Sequence, residues 1–180
     1  MAVFYDPTSR TLDYKGFDTI YSQESLFQVW LDVEKALVKA QVEYGVIPHD
    51  IGKLIVEKCH VQFLNIENIE RDFAKTGHGL IPLLNELSRV VGDVSAKYVH
   101  YGITTQNVQQ TSEIIIAKKF VQEFQEIVQL LFNDLDVLNK KHGHIVMAGR
   151  THSKHALPIR VSYKLSVWRC LLYTSDAADD

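Results

Sequence analysis

The sequence predicts an all-α protein in two parts, an N-terminal helical domain over residues 1–103 and the beginning of a long helical bundle over residues 104–169. Three observations carry this. Apolar residues recur at three- and four-residue steps through most of the chain, as amphipathic helices require. The stretch 104–142 contains neither proline nor glycine, so nothing in it interrupts a helix. Strand patterns are short, at most Tyr98-Val99-His100-Tyr101.

Taken in order, Ser22 is placed to cap a helix whose apolar residues Leu26, Val29, Trp30, Val33, Leu37, Ala40 and Tyr44 share one face. Gly45 followed by Pro48 ends it. A short helix around Ile51, Leu54 and Ile55 follows, then one around Ile66, Ile69 and Phe73 that leads into the loop Thr76-Gly77-His78-Gly79. Residues 80–91 read as a further helix, with Pro82 tolerated in its first turn. The dominant element starts at Thr104-Thr105 and runs to about His142, with Gly143 closing it. Val108, Ser112, Ile115, Lys119 or Phe120, Phe124, Ile127, Leu131, Leu135 and Leu138 mark one continuous face, and Ile116, Val128 and Phe132 widen it. A periodic pattern this long points to a bundle in which the helix has more than one neighbour. The spacing then predicts a connection over residues 144–155 and a helix opened by Pro158 that runs towards Trp168.

After Arg169 the helical pattern stops. Residues 170–180 resemble the read-through translation of a sequencing-library adaptor, so they read as a non-native tail, a natural acidic tail being the plain alternative.

With 180 residues, 46% hydrophobic and 23% charged, the composition is that of a soluble globular protein. Nineteen basic against 22 acidic residues leave a formal net charge of -3, which argues against nucleic acid or an anionic membrane as the main partner. A small anionic substrate needs only a local positive site. No apolar run approaches the roughly 20 residues that span a bilayer, and the start Met1-Ala2-Val3-Phe4-Tyr5-Asp6 lacks the features of a signal peptide. Cys59 and Cys170 give neither a disulfide framework nor metal-ligand spacing. The expected compartment is the cytoplasm.

Two segments carry candidate chemistry. In Gly102-Ile103-Thr104-Thr105-Gln106-Asn107, two hydroxyls and two amides sit at a helix start, where unpaired N–H groups and the macrodipole favour an anion. On spacing alone, Thr104 or Thr105 also reads as a plain N-cap worth about 1 kcal/mol. The second segment is Gly149-Arg150-Thr151-His152-Ser153-Lys154-His155-Ala156-Leu157-Pro158, whose histidines suit general acid chemistry near neutral pH. Each of them also reads as an ordinary hydrogen-bonded residue. A metal site is disfavoured, because no carboxylate or cysteine lies between Gly143 and Pro158 to complete a ligand set.

Together the two segments resemble the aspartase/fumarase superfamily, on its adenylosuccinate lyase side. Phe27-Gln28-Val29-Trp30-Leu31-Asp32-Val33-Glu34 with Gly45-Val46-Ile47-Pro48 looks like the first long helix of bacterial adenylosuccinate lyases. Residues 98–107 are similar to the first conserved block of that family, and Gly149-Arg150-Thr151-His152 with His155-Ala156 and Pro158 to its second. The resemblance implies a β-elimination that releases fumarate from a succinyl-amine such as a succinyl-nucleotide, or from another dicarboxylate. It assigns His152 as the acid that protonates the leaving nitrogen. Thr104 and Thr105 hold a succinyl carboxylate, His78 lies by the nucleotide phosphate, and Gln106 and Thr151 complete the substrate-binding set. It implies no metal and no organic cofactor, a homotetramer with a central helical bundle, and a serine base on a loop beyond residue 169. Adenylosuccinate lyases carry Arg-His-Asp where this chain has Gly77-His78-Gly79, a departure that bears on the purine substrate. Lys154 and Arg160-Val161-Ser162 also differ from the usual pattern. The alternatives are a 3-carboxy-cis,cis-muconate cycloisomerase-like enzyme, which resembles Gly77 and Ile81-Pro82-Leu83 but carries Trp in place of His152, and a non-catalytic helical scaffold.

Overall fold

Most helix boundaries fall where capping residues put them. The computed structural model describes residues 16–174, so Met1–Asp6 and the end of the acidic tail lie outside the described residues. A single turn, α1 (Phe17–Ile20), precedes α2 (Gln23–Glu43), and the Ser22 hydroxyl accepts from the Ser25 amide at 3.1 Å to cap α2. After α3 (His49–Lys58) and a 3₁₀ turn (Val61–Phe63), Asn65 caps α4 (Ile66–Thr76) by accepting from the Asn68 amide at 3.2 Å. Helix α5 (Ile81–Val91) carries Pro82 in its first turn, and α6 (Asp93–Ala96) follows directly. The long α7 spans Thr105–His142. Strands β1 (Val146–Thr151) and β2 (Lys154–Arg160) form an antiparallel hairpin, and α8 (Val161–Thr174) closes the described chain.

Contacts divide the chain into two compact units at Phe120/Val121, within α7. In the first unit α2 supplies the central wall. Its Phe27, Trp30, Leu31 and Val38 pack with Ile55 of α3, with Leu83, Leu84 and Leu87 of α5, and with Val108 of α7. Helix α3 crosses α2 so closely that a Cβ on Gly52 would stand 2.1 Å from Val42 Cγ2. Helices α4 and α5 are tied by Arg89, whose guanidinium donates to Asp72 Oδ2 at 2.6 Å and to Glu86 Oε2 at 2.8 Å. Glu86 is buried and also accepts from the Asn68 amide group and the Asn65 backbone N–H. This network sets the angle between the two helices and so aims the 77–79 loop that joins them.

In the second unit the C-terminal part of α7 carries buried Leu135, and α8 carries buried Leu165. Arg169 Nη1 donates to Asp136 Oδ1 at 2.7 Å, linking the two helices. Leu131 and Leu138, on the stripe that predicts a bundle, remain 44% and 45% exposed.

The structure corrects the sequence reading in three places. Residues 98–101 form turns rather than a strand. The expected connection over 144–155 is largely the hairpin, with Pro158 in β2 opposite Ala148 instead of at a helix start. Helix α8 begins at Val161 and continues past Arg169. Pro158 is tolerated because a two-stranded sheet consists of edge strands, where a missing N–H breaks no ladder on the outer side. Among the described residues no helix is long and apolar enough to cross a membrane.

Candidate active site

The helix start at Thr104-Thr105 is held by a tight turn gripped from α2. His100 has φ 58 and Gly102 φ 75, both left-handed, a region glycine enters without steric cost and histidine does not. Two side chains of α2 hold this turn. His100 Nδ1 lies 2.5 Å from Glu34 Oε1, and Gln41 Nε2 donates to the Tyr101 carbonyl at 2.7 Å. Glu34 is only 1% exposed, and its Oε2 has no partner among the described residues. Burial pushes the Glu34 carboxyl above its ordinary value, an effect opposed by the His100 hydrogen bond.

Beyond the turn, Asn107 N donates to the Thr104 carbonyl at 3.1 Å to begin α7. Thr104 and Gln106 are exposed and Thr105 half-buried. Among the described residues neither threonine hydroxyl makes a hydrogen bond, so neither caps the helix. Both remain available, along with the first backbone N–H groups of α7, to an anionic group.

His78 sits between α4 and α5. Gly77 caps α4 in the left-handed region, and the His78 amide donates to Thr76 Oγ1 at 3.3 Å. Its Nδ1 accepts from the backbone N–H groups of Leu80 at 3.2 Å and Ile81 at 3.3 Å. The imidazole therefore caps α5, which has no other side-chain cap, and keeps its proton on Nε2. The half-buried ring presents a neutral N–H donor. The loop lies beside α7, since a Cβ on Gly79 would stand 3.6 Å from Gln109 Nε2. The first unit thus brings together the His78 loop and the start of α7.

The second unit holds Thr151 and His152. Thr151 pairs with Lys154 to close the hairpin, leaving His152 and Ser153 as the two turn residues, with φ 46 and 63. Positive φ at both positions defines the tight I′ type of hairpin turn, which ordinarily takes Asn-Gly. At Gly149 the register breaks, and a Cβ there would lie 2.6 Å from the Leu157 carbonyl oxygen. His152 is exposed and makes no hydrogen bond to another described residue, so its imidazole is presented on a strained tip. Among the described residues no group of three His, Cys, Asp or Glu is placed to hold a metal ion.

Sequence spacing did not single out Glu34, Gln41 or His100. The available signal was a pair of polar residues, seven apart, on the helix whose stripe forms the core.

A protein-family model described as "Lyase" matches residues 15–177. N-acetyl-S-(2-succino)cysteine lyase of Dickeya dadantii is 35% identical over 149 residues, 83% of this chain and 33% of that protein. Adenylosuccinate lyase of Pyrococcus abyssi is 30% identical, with the same coverage of 83% and 33%. The chain thus spans about a third of the length of the curated relatives it matches. Among solved structures, β-carboxy-cis,cis-muconate cycloisomerase from Acinetobacter calcoaceticus superposes with a TM-score of 0.81 at 27% identity, over 89% of this chain and 38% of that one.

Proposed function

The chain belongs to the lyase family of the aspartase/fumarase superfamily, and from that premise we propose that it carries part of the active site of an enzyme that releases fumarate from a succinyl-bearing substrate. The observation that carries this reading is the start of α7, where Thr104 and Thr105 offer uncommitted hydroxyls one turn before Gln109, the residue that meets the His78 loop at Gly79.

In the proposed elimination a base outside the described residues removes the proton next to a substrate carboxylate. The electron pair spreads onto the carboxylate oxygens. Thr104, Thr105 and the first amides of α7 stabilise that charge because they are oriented before it develops. The bond from carbon to the leaving heteroatom then breaks as the double bond of fumarate forms. His152 supplies the proton that the leaving group takes up. Gln106 lines the substrate and His78 donates through Nε2 in the first unit, while Thr151, like His152, belongs to the second unit and serves a site that the subunits of a homotetramer share. In the complete enzyme the exposed Leu131 and Leu138 of α7 are covered by other long helices of a homotetramer.

The first substrate reading is a C–N bond, as in adenylosuccinate. A second reading, a C–S bond in a small S-succinyl thioether, is favoured by the His78 loop. Gly77 and Gly79 put no cation beside His78 to meet a nucleotide phosphate, and a relative at 35% identity is named for a succinylated cysteine. A thiolate, with a pKa of about 8.5, is also a far better leaving group than an amine anion. Comparing kcat/KM of the complete enzyme for adenylosuccinate and for N-acetyl-S-(2-succino)cysteine tests the assignment. A preference for either selects the bond, and fumarate from neither removes the lyase proposal.

A further inference from the structure

Glu34 is an ionisable side chain enclosed in the α2 core wall, with one oxygen against His100 and the other without a partner among the described residues. An unpaired buried oxygen costs stability, and an apolar residue of the same volume would avoid that cost. The hydrogen bond it makes is directed at one place, a histidine in a left-handed conformation two residues before Gly102. One face of α2 repeats the device seven residues later. There Gln41 donates to the Tyr101 carbonyl, while its own Oε1 is buried without a partner. Both side chains therefore leave a polar atom unsatisfied in order to grip the same turn. The turn leads directly into Ile103, Thr104 and Thr105, so its geometry sets where the two hydroxyls and the first amides of α7 point.

We propose that Glu34, assisted by Gln41, is a positioning residue: by holding His100 and the 100–102 turn it preorganises the carboxylate-binding start of α7. It acts through the turn and not by touching substrate. The inference rests on the fumarate-releasing reading for what is bound, and on the turn geometry alone for what is held.

Two substitutions separate positioning from stability. Glu34→Leu fills the site but leaves Nδ1 of His100 with no acceptor. Glu34→Gln keeps an oxygen that accepts from Nδ1–H. In the complete enzyme Glu34→Leu should raise KM for the succinyl substrate about tenfold, the scale of one lost charge-assisted hydrogen bond, with Tm unchanged or higher. Glu34→Gln should bring KM back to within about threefold of wild type. In the 180-residue chain, amide exchange over residues 103–107 should speed up in Glu34→Leu and stay at the wild-type rate in Glu34→Gln. A lower Tm with unchanged KM and unchanged exchange would overturn the proposal, as would equal KM changes in both variants. If the wild-type enzyme releases no fumarate, the functional reading fails by itself. The exchange rates then decide the positioning role, faster exchange in Glu34→Leu alone supporting it and unchanged exchange overturning it.

Discussion

Replacing His152 with glycine should stabilise the fold while destroying turnover, a combination that separates function from structure at one residue. His152 and Ser153 occupy the hairpin turn at φ 46 and 63. A left-handed conformation costs an L-residue roughly 1–2 kcal/mol, which glycine does not incur. Glycine gives back roughly 0.5–1 kcal/mol through the greater freedom of its unfolded chain. The exposed imidazole makes no hydrogen bond to a described residue, so its removal forfeits nothing there. The net expectation is a gain of roughly 0 to 1.5 kcal/mol, a rise in Tm of up to roughly 3–6 °C for a chain of this size. Loss of a general acid should lower kcat by a factor of about 100 to 10,000. Thermal unfolding of the chain and fumarate release by the complete enzyme read the two halves. Ser153→Gly is the control, with similar stabilisation and retained turnover. A Tm drop of several degrees in His152→Gly would mean that the ring has a structural partner, and near-wild-type turnover would remove its role as acid.

Thr105→Val should weaken fumarate binding by about tenfold or more, because a hydrogen bond to a charged group is worth roughly 1.5–3 kcal/mol; a lower melting temperature with unchanged affinity would make the hydroxyl a structural group after all. The Arg89 guanidinium holds the Asp72 carboxyl below its ordinary value of 3.8. That contribution to stability is complete above this value and is lost as pH falls through the lower folded-state value, so urea midpoints of Asp72→Asn should lie below wild type at pH 6 and converge with it in acid. Glu34 has the opposite sign. Its raised carboxyl favours the fold at low pH and loses that advantage as pH rises through the folded-state value, so Glu34→Gln should gain on wild type with increasing pH. The 180-residue chain alone should release no fumarate and should self-associate through Leu131, Leu138 and their neighbours on α7, which light scattering checks; a stable monomer would argue against the bundle.

Helices α2, α3, α4, α5 and α7 were legible because their signals are local. Ser22 does cap, Gly45 does follow the end of α2, and a run of 38 residues without a breaker does form one helix. The hairpin was not legible, because its cues contradict strand rules. Gly149 and Pro158 lie inside the strands, and His152-Ser153 replaces the usual Asn-Gly of the turn. Those exceptions hold together only in a two-stranded edge pairing, with Gly149 allowing close approach to the Leu157 carbonyl. The polar start of α7 could be found from its composition. Its support could not, since Glu34 and His100 are 66 residues apart and a lone Glu in an apolar stripe carries no sign of its partner.

The central proposal is that this chain serves a fumarate-releasing elimination, and product analysis of the complete enzyme by proton NMR tests it most directly. The elimination predicts one fumarate for each amine or thiol freed from a succinyl substrate, with both falling together in rate by a factor of about 100 to 10,000 in His152→Gln. Ring closure of a carboxymuconate to a lactone, with no fumarate from any succinyl compound, would contradict it.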